Sequence, residues 1–131
     1  MMPPISRYMT AQPWTVERDS PLREARRLMA DHGIRHLPVL HHGELVGVVS
    51  DRDLRLLEGA AGGPVGLVTE VMAERPFIVA TDTAVDEVVQ IMSEHKYGSV
   101  IVMGRDGIAG IFTTIDACRV LADVLQRAAA Q

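Results

Sequence analysis

Two copies of one motif set the architecture of this chain: Val48-Val49-Ser50-Asp51-Arg52-Asp53 and Ile111-Phe112-Thr113-Thr114-Ile115-Asp116. Each copy is typical of an apolar strand that ends in Ser or Thr and is followed by a helix. An Asp stands three residues after the hydroxyl residue in both copies. The copies lie 63 positions apart, and the flanking sequence repeats at the same distance.

The repeat extends over nearly the whole sequence. Ten pairs of identical residues stand at the offset of 63, and conservative pairs such as Val48/Ile111 lie between them. The identical pairs are Met9/Met72, Pro13/Pro76, Val16/Val79, Asp19/Asp82, Glu24/Glu87, Met29/Met92, His32/His95, Val39/Val102, Gly47/Gly110 and Asp53/Asp116. Ten identities at one constant offset indicate a tandem duplication of one supersecondary unit.

Each repeat is predicted to fold as β-α-β-β-α. Ser20 and Thr83 are the predicted N-caps of the first helix of each repeat, and Gly33 is the predicted end of the earlier one. The predicted hairpin strands are 36–40 with 45–50 and 100–103 with 108–113, and the closing helices are 51 to about 58 and 115 to about 129. Pro38 has no N–H, so its strand is predicted to be an edge there or locally irregular.

The predicted fold class is α+β (α/β), with two β-α-β-β-α repeats that pack sheet to sheet around a pseudo-two-fold axis. Residues 1–63, including a linker at 59–64, form the first predicted domain, and residues 64–131 form the second. A repeat of about 60 residues buries only a thin core. We therefore expect neither repeat to fold by itself.

Composition narrows the classes of function. The chain has 131 residues, 47% of them apolar, and a net charge of −4, which argues against disorder and against nucleic-acid binding. The single cysteine, Cys118, excludes an internal disulfide and a Cys-rich zinc site. No signal peptide and no apolar run of membrane-spanning length is visible, so a cytoplasmic protein without a membrane partner is predicted.

The repeated hydroxyl–carboxylate pairs are the strongest candidates for a binding site. Ser50 and Thr113 stand at predicted helix starts, where unpaired N–H groups favour anions. Asp53 and Asp116 lie one turn later, and a carboxylate with two oxygens can accept hydrogen bonds from both hydroxyls of a ribose. The same pattern is also close to a capping box, with Asp in place of Glu or Gln. The motif alone leaves both interpretations open.

The whole chain resembles a tandem pair of CBS domains, the cystathionine β-synthase regulatory module also called a Bateman module. The resemblance rests on these motifs: Tyr8-Met9-Thr10, Val71-Met72-Ala73, Gly33-Ile34-Arg35-His36-Leu37-Pro38-Val39, Leu45 through Asp53, Tyr97-Gly98-Ser99-Val100-Ile101-Val102 and Gly110 through Asp116. It covers roughly residues 5–125 and leaves no room for a catalytic domain.

The resemblance implies a non-catalytic sensor that binds AMP, ADP, ATP or S-adenosylmethionine in the cleft between the repeats, with no obligatory cofactor and no metal. It assigns ribose binding to Asp53 and Asp116, and places Ser50 and Thr113 near ribose or phosphate. Main-chain groups around Thr15 and Ile78 would meet the adenine edge. Segments 35–38 and 98–101 would line the cleft, which brings in Leu37, Pro38, Ser99 and Val100.

The two sites are not expected to be equivalent. The first repeat carries Arg35, His36 and Arg52 where the second has Gly98, Ser99 and Ile115. Arg can bind phosphate through two N–H groups at once. We therefore expect the cleft that receives Arg35 and His36 to prefer the more phosphorylated ligand. The alternative is that both side chains pair with surface carboxylates.

The sequence also bears on the oligomeric state, on alternative functions and on weaker site candidates. A homodimer is expected, because thin repeats leave apolar helix faces to cover, and any effector protein would be bound in trans. A ligand-free dimerisation scaffold is the main alternative. An enzyme is disfavoured, since the chain has no P-loop and no nucleophile–base pair. His32 and His95 are predicted to complete inward helix faces, and neither the His-rich segment near 41–42 nor Cys118 predicts a metal or catalytic site.

Overall fold

The computed structural model describes residues 1–57 and 65–131, and the predicted linker at 59–64 lies outside these residues. The described residues form an α+β fold with two sheets and four helices, as predicted. The strands are β1 (Thr10–Ala11), β2 (Val16–Glu17), β3 (His36–His41), β4 (Glu44–Ser50), β5 (Ile78–Ala80), β6 (Ser99–Gly104) and β7 (Gly107–Thr113). The helices are α1 (Leu22–His32), α2 (Asp51–Arg55), α3 (Val85–His95) and α4 (Thr114–Ala129).

Both repeats show the predicted β-α-β-β-α order. One sheet has the order β2-β3-β4, and the other has the order β1-β7-β6-β5. In each repeat the hairpin is antiparallel, and the short strand before the first helix runs parallel to the hairpin's first strand. Strand β1 was not predicted. None of the helices in the described ranges combines the length and apolar character needed to cross a membrane.

The ends of α1 and α3 show where local sequence rules applied and where they did not. Gly33 ends α1 in the left-handed conformation at φ 62°, as predicted, whereas Lys96 takes this role after α3 at φ 60°. The predicted N-caps Ser20 and Thr83 are wrong, because Pro21 and Ala84 occupy the N-cap positions and no side chain caps either helix.

Main-chain groups from distant segments serve the helix starts in place of hydroxyl caps. The N–H of Leu22 donates to the carbonyl of Gly66 at 2.9 Å, and the N–H of Val85 donates to the carbonyl of Pro3 at 3.0 Å. These bonds satisfy donors that a side-chain cap would otherwise have to reach. Since Pro3 and Gly66 are themselves 63 positions apart, both repeats use the same arrangement.

The first residues of each repeat, which we call its leading segment (1–12 and 65–76), belong to the compact unit of the other repeat. One unit combines Met1–Gln12 with Phe77–Gln131, and the other comprises Pro13–Pro76. Ile5 is completely buried in the first unit, and its N–H donates to the carbonyl of Thr83 at 2.7 Å. The compact units therefore do not coincide with the contiguous halves of the sequence. The helix and hairpin of each repeat pack against the first residues of the other repeat.

The repeated glycines Gly47 and Gly110 are explained by this exchange. A Cβ on Gly47 would lie 2.6 Å from the carbonyl oxygen of Ala73, and a Cβ on Gly110 would lie 2.8 Å from the carbonyl oxygen of Thr10. Real Cβ atoms do not approach backbone this closely, so these strand positions require glycine. The identity of the pair thus reflects the close approach of an exchanged segment to the last hairpin strand.

Each unit has its own apolar core beneath its sheet. In the unit of Pro13–Pro76, the core surrounds Leu22, Leu37, Val49 and Leu54, all completely buried. In the other unit the core contains seven buried residues: Ile5, Val85, Val88, Met92, Val100, Val102 and Phe112. On α3, Val85, Val88 and Met92 share one apolar face, and this face is buried.

Candidate functional site

In the first repeat, the hydroxyl–carboxylate pair forms a complete capping box at the start of α2. The N–H of Asp53 donates to Ser50 Oγ at 3.2 Å, and the N–H of Ser50 donates to Asp53 Oδ2 at 2.9 Å. Helix α2 has only five residues, shorter than predicted, so its dipole contributes little to anion binding. Within the described residues, Asp53 Oδ1 accepts no hydrogen bond and joins no ion pair.

In the second repeat, the same capping box begins α4. The N–H of Thr113 donates to Asp116 Oδ2 at 2.9 Å, and the Asp116 N–H points at Thr113 Oγ1 at 3.5 Å. Here the carboxylate has two further partners, because Thr10 Oγ1 and Arg119 Nη1 both donate to Oδ1, at 3.4 and 3.3 Å. Asp116 is only 5% exposed. The capping interpretation is therefore correct for both motifs as local structure.

Arg35 and His36 lie beside the start of α2. The N–H of Asp51 donates to the carbonyl of Arg35 at 2.8 Å, and His36 is the register partner of Ser50 in the β3–β4 hairpin. Burial lowers the pKa of His36 below its ordinary value of 6.5, against the opposing effect of the Asp53 carboxylate. The imidazole is thus neutral at pH 7, and Arg35 carries the positive charge here.

Among the described residues, neither Arg35 nor His36 forms an ion pair, although the Asp53 and Asp51 carboxylates act electrostatically on His36. The Asp51 carboxylate pairs instead with Arg26 at 3.5 Å and with Arg55 at 3.0 Å. In the part of the chain that the structure describes, Arg35 forms no ion pair, and its side chain is exposed to solvent. Arg52 is also exposed, on α2. The main chain of Arg35, the arginine expected to bind phosphate, is therefore fixed by a hydrogen bond, while its side chain is exposed to solvent.

The predicted cleft residues fall into two groups. The side chains of Leu37 and Val100 are completely buried in the cores of their units, and Pro38 is also buried. These three can meet a ligand only through their main chain. Thr15 and Ser99 are partly exposed, and Ile78 is 47% exposed at the start of β5.

Pro38 makes the two adenine-edge strands unequal. In the second repeat, the N–H of Ile101 donates to the carbonyl of Phe77 at 2.8 Å, and Ile78 pairs with Ile101. Pro38 stands at the position equivalent to Ile101 and has no N–H, so β2 pairs only with Val39 and Leu40. Strand β3 lies between β2 and β4 and is not an edge strand, whereas the local irregularity predicted as the alternative is present, because β2 does not pair at Pro38 and the β3–β4 register shifts between Val39 and Leu40. The Trp14 carbonyl accordingly accepts no hydrogen bond from the described main chain.

The weaker candidates from the sequence are His32, His95 and Cys118. His32 stacks on Trp14 with ring centroids 3.8 Å apart, and His95 Nδ1 lies 3.1 Å from the Ile91 carbonyl. Both are exposed, so the predicted inward helix position is wrong, although the backbone bond of His95 is present. No three metal-binding side chains come together within residues 1–57 and 65–131. Cys118 is exposed on α4.

One cavity lies within the unit that contains α3 and α4. Its volume is about 390 Å³, and its lining includes Met92, Lys96, Tyr97, Gly98, Thr114 and Ala117. Of the predicted cleft segment 98–101, only Gly98 contributes to it. Sequence reasoning also missed Thr10 and Arg119 as partners of Asp116. Arg119 was detectable as a helical neighbour three residues after Asp116, whereas Thr10 lies 106 positions away in sequence.

Comparison with known protein families agrees with the repeat. The CBS domain model matches residues 5–58 and again residues 62–123. An inosine-5'-monophosphate dehydrogenase of Korarchaeum cryptofilum is 34% identical over 103 residues, covering 78% of this chain but only 21% of that enzyme. CBS domain-containing protein YhcV of Bacillus subtilis is 28% identical over 111 residues, covering 84% of this chain and 79% of YhcV.

Solved structures share the fold over most of the chain. AcuB of Vibrio cholerae has a TM-score of 0.82 at 29% identity, covering 100% of this chain and 98% of AcuB. The CBS domain pair of MJ0100, in complex with 5'-methylthioadenosine and S-adenosyl-L-methionine, has a TM-score of 0.83 at 24% identity, with coverage of 94% and 98%. CBSX2 in complex with AMP has a TM-score of 0.82 at 22% identity, with coverage of 92% and 97%. Because two copies of the family's fold follow one another here, the chain belongs to the CBS domain family and contains a tandem pair of these domains.

Proposed function

We propose that this chain is a non-catalytic regulatory module that binds an adenosine-containing ligand, namely AMP, ADP, ATP or S-adenosylmethionine. The observation that carries the proposal is the Ser50–Asp53 pair, where the capping box leaves one carboxylate oxygen open beside His36 and Arg35. A carboxylate oxygen is a strong acceptor for ribose hydroxyls. The ligands of MJ0100 and CBSX2, which share this fold, support the choice of an adenosine compound.

The regulatory role follows from differential binding. A ligand that binds one arrangement of the module more tightly than another shifts the population toward it, and a partner protein can detect this shift. The IMP dehydrogenase relative is about five times longer than its matched region, which supports the role of an accessory module rather than a catalytic one. The further proposals are a cytoplasmic location and an effector protein bound in trans.

A homodimer is also proposed. Leu121, Val124 and Leu125 on α4 are 57%, 53% and 58% exposed, and such apolar side chains are commonly covered by a second subunit. A chain that sediments as a monomer at micromolar concentration would contradict this assembly.

A thermal-shift panel tests ligand binding. AMP, ADP, ATP and S-adenosylmethionine are each added to the full chain, with GMP and GTP as matched controls. A ligand at a hundredfold excess over its Kd stabilises the protein by about 2.7 kcal/mol, so at least one adenosine compound is expected to raise the Tm. The shift should be smaller in the double variant Asp53→Asn/Asp116→Asn, in which Asn still offers an oxygen to the capping N–H.

The alternative function is a ligand-free dimerisation scaffold. The two complete capping boxes favour it, because they show that both Asp side chains already have a structural task. A flat response to every nucleotide in wild type and in the double variant would support the scaffold and overturn ligand binding. Turnover of any nucleotide by the purified chain would overturn the non-catalytic assignment.

Arg35 is proposed to select the more phosphorylated ligand. Its guanidinium is exposed, and its carbonyl is held by the Asp51 N–H, so the side chain starts from a fixed position. A charge-assisted hydrogen bond to phosphate contributes about 1.5–3 kcal/mol. Calorimetry should therefore show that Arg35→Ala lowers the ratio of ATP to AMP affinity by about tenfold or more. Arg105→Ala, an exposed turn residue of the β6–β7 hairpin, is the control, and an unchanged ratio in Arg35→Ala rejects the selection.

A further inference from the structure

The two ribose-binding candidates differ in how many of their oxygens are already used. Asp53 accepts one hydrogen bond at Oδ2, from the Ser50 N–H. Its Oδ1 has no donor among residues 1–57 and 65–131, and the residue is partly exposed. A bound hydroxyl can therefore reach Asp53 without breaking a contact of the folded chain.

Both carboxylate oxygens of Asp116 already accept hydrogen bonds from other groups of the chain. Oδ2 accepts from the Thr113 N–H and the Thr113 hydroxyl, and Oδ1 accepts from Thr10 and Arg119. The residue is 5% exposed. A ribose would have to displace both donors from Oδ1 and open a buried group, and Arg119 also offsets the charge that makes a carboxylate a strong acceptor.

The difference comes from side chains at equivalent backbone positions. Thr10 pairs with Ile111 in the sheet, and Ala73, 63 positions later, pairs in the same way with Val48. Ala73 therefore occupies the place of Thr10 beside the first-repeat motif, but it has no hydroxyl. Leu56 likewise stands at the position equivalent to Arg119 and has no donor. The backbone is repeated, whereas the two donors exist in one copy only.

We propose that Asp53 is the one working ribose-binding carboxylate, and that Thr10 and Arg119 close Asp116, so that each chain binds one adenosine ligand. This inference rests on the proposed function, since it requires that an adenosine ligand binds. It assigns Thr10 and Arg119 as specificity-determining residues that keep the second motif structural. The sequence duplication would then have retained two caps but only one sugar contact.

Calorimetric stoichiometry on the full chain tests the inference, with AMP and S-adenosylmethionine as probes. Wild type is expected to bind one ligand per chain, and Asp53→Asn is expected to bind it about tenfold to a hundredfold more weakly. The variant Thr10→Ala/Arg119→Leu gives the surroundings of Asp116 the side chains that Ala73 and Leu56 have at the equivalent positions, and it leaves the capping box intact. It is expected to gain a second binding event. 2',3'-Dideoxyadenosine 5'-monophosphate, which lacks the diol, should lose affinity for wild type but not for Asp53→Asn.

The outcomes separate this inference from the proposed function. Two equivalents bound to wild type, or loss of AMP binding in an Asp116→Asn protein with an unchanged circular dichroism spectrum, would overturn the assignment to Asp53 alone while keeping the module a nucleotide binder. A single binding event that survives in Asp53→Asn at full affinity would also overturn it. Wild type that binds no adenosine compound would overturn the proposed function, and the inference with it.

Discussion

A fragment of residues 1–63 will show no cooperative thermal transition, whereas a fragment of residues 13–76 will keep more of its helix and hairpin. The first fragment contains one complete repeat of the sequence, but it lacks Gly66 and Val68, whose main-chain bonds hold the start of α1. It also lacks Ala73, which pairs with Val48 through bonds of 3.0 and 2.8 Å. The second fragment retains all of these contacts within one compact unit.

Circular dichroism on heating provides the measurement, and the two fragments are matched because their lengths differ by one residue. Both are small enough to be marginally stable, so the difference between them matters more than the absolute stability. Equal helical content in the two fragments, or a cooperative melt of residues 1–63, would show that the exchanged segment contributes little.

Replacement of Phe112 by Ala will lower the free energy of unfolding of the full chain by about 3–5 kcal/mol. Phe112 is the largest completely buried side chain, and it lies opposite Val100 in the β6–β7 hairpin. Its removal leaves a cavity in a core of few residues, and the loss is a large part of the roughly 5–15 kcal/mol that stabilises a typical domain. Urea denaturation followed by circular dichroism measures the change.

Trp14→Ala is the matched control, because it also removes an aromatic side chain. Trp14 is 53% exposed, so the expected loss is about 1 kcal/mol or less. Similar losses in the two variants would mean that the core around Phe112 relaxes to fill the space, and that burial does not decide the effect.

The elements of the fold could be predicted, but their partners could not. The offset of 63, the apolar runs and the turn signals located both hairpins and the four helices of the described residues to within a few residues. The repeat in the sequence does not show, however, whether Ile5 packs beside the helix of its own copy or beside the equivalent helix of the other copy. The N-caps of α1 and α3 were mispredicted for this reason, since the first helical N–H groups, those of Leu22 and Val85, donate to the carbonyls of Gly66 and Pro3.

The candidate site was predicted at the level of the motif and not of its surroundings. Ser50–Asp53 and Thr113–Asp116 are capping boxes because their spacing determines a local geometry. The contact from Thr10 to Asp116 spans 106 positions and depends on the segment exchange, so no local rule reaches it. Leu37 and Val100 each begin a run of three buried residues, in β3 and in β6, so their side chains belong to the cores.

The exchanged leading segments also bear on how such a fold can exist as a single copy. One isolated repeat has a leading segment such as residues 3–9, but it lacks the helix of the other repeat against which this segment packs. Two identical single-repeat chains would have to complete each other by reciprocal domain swapping, and their stability would then depend on protein concentration. Covalent fusion of the copies holds each swapped arm near its acceptor at an effective concentration on the order of millimolar. The chain thus folds by an intramolecular reaction where two separate repeats would require a bimolecular one.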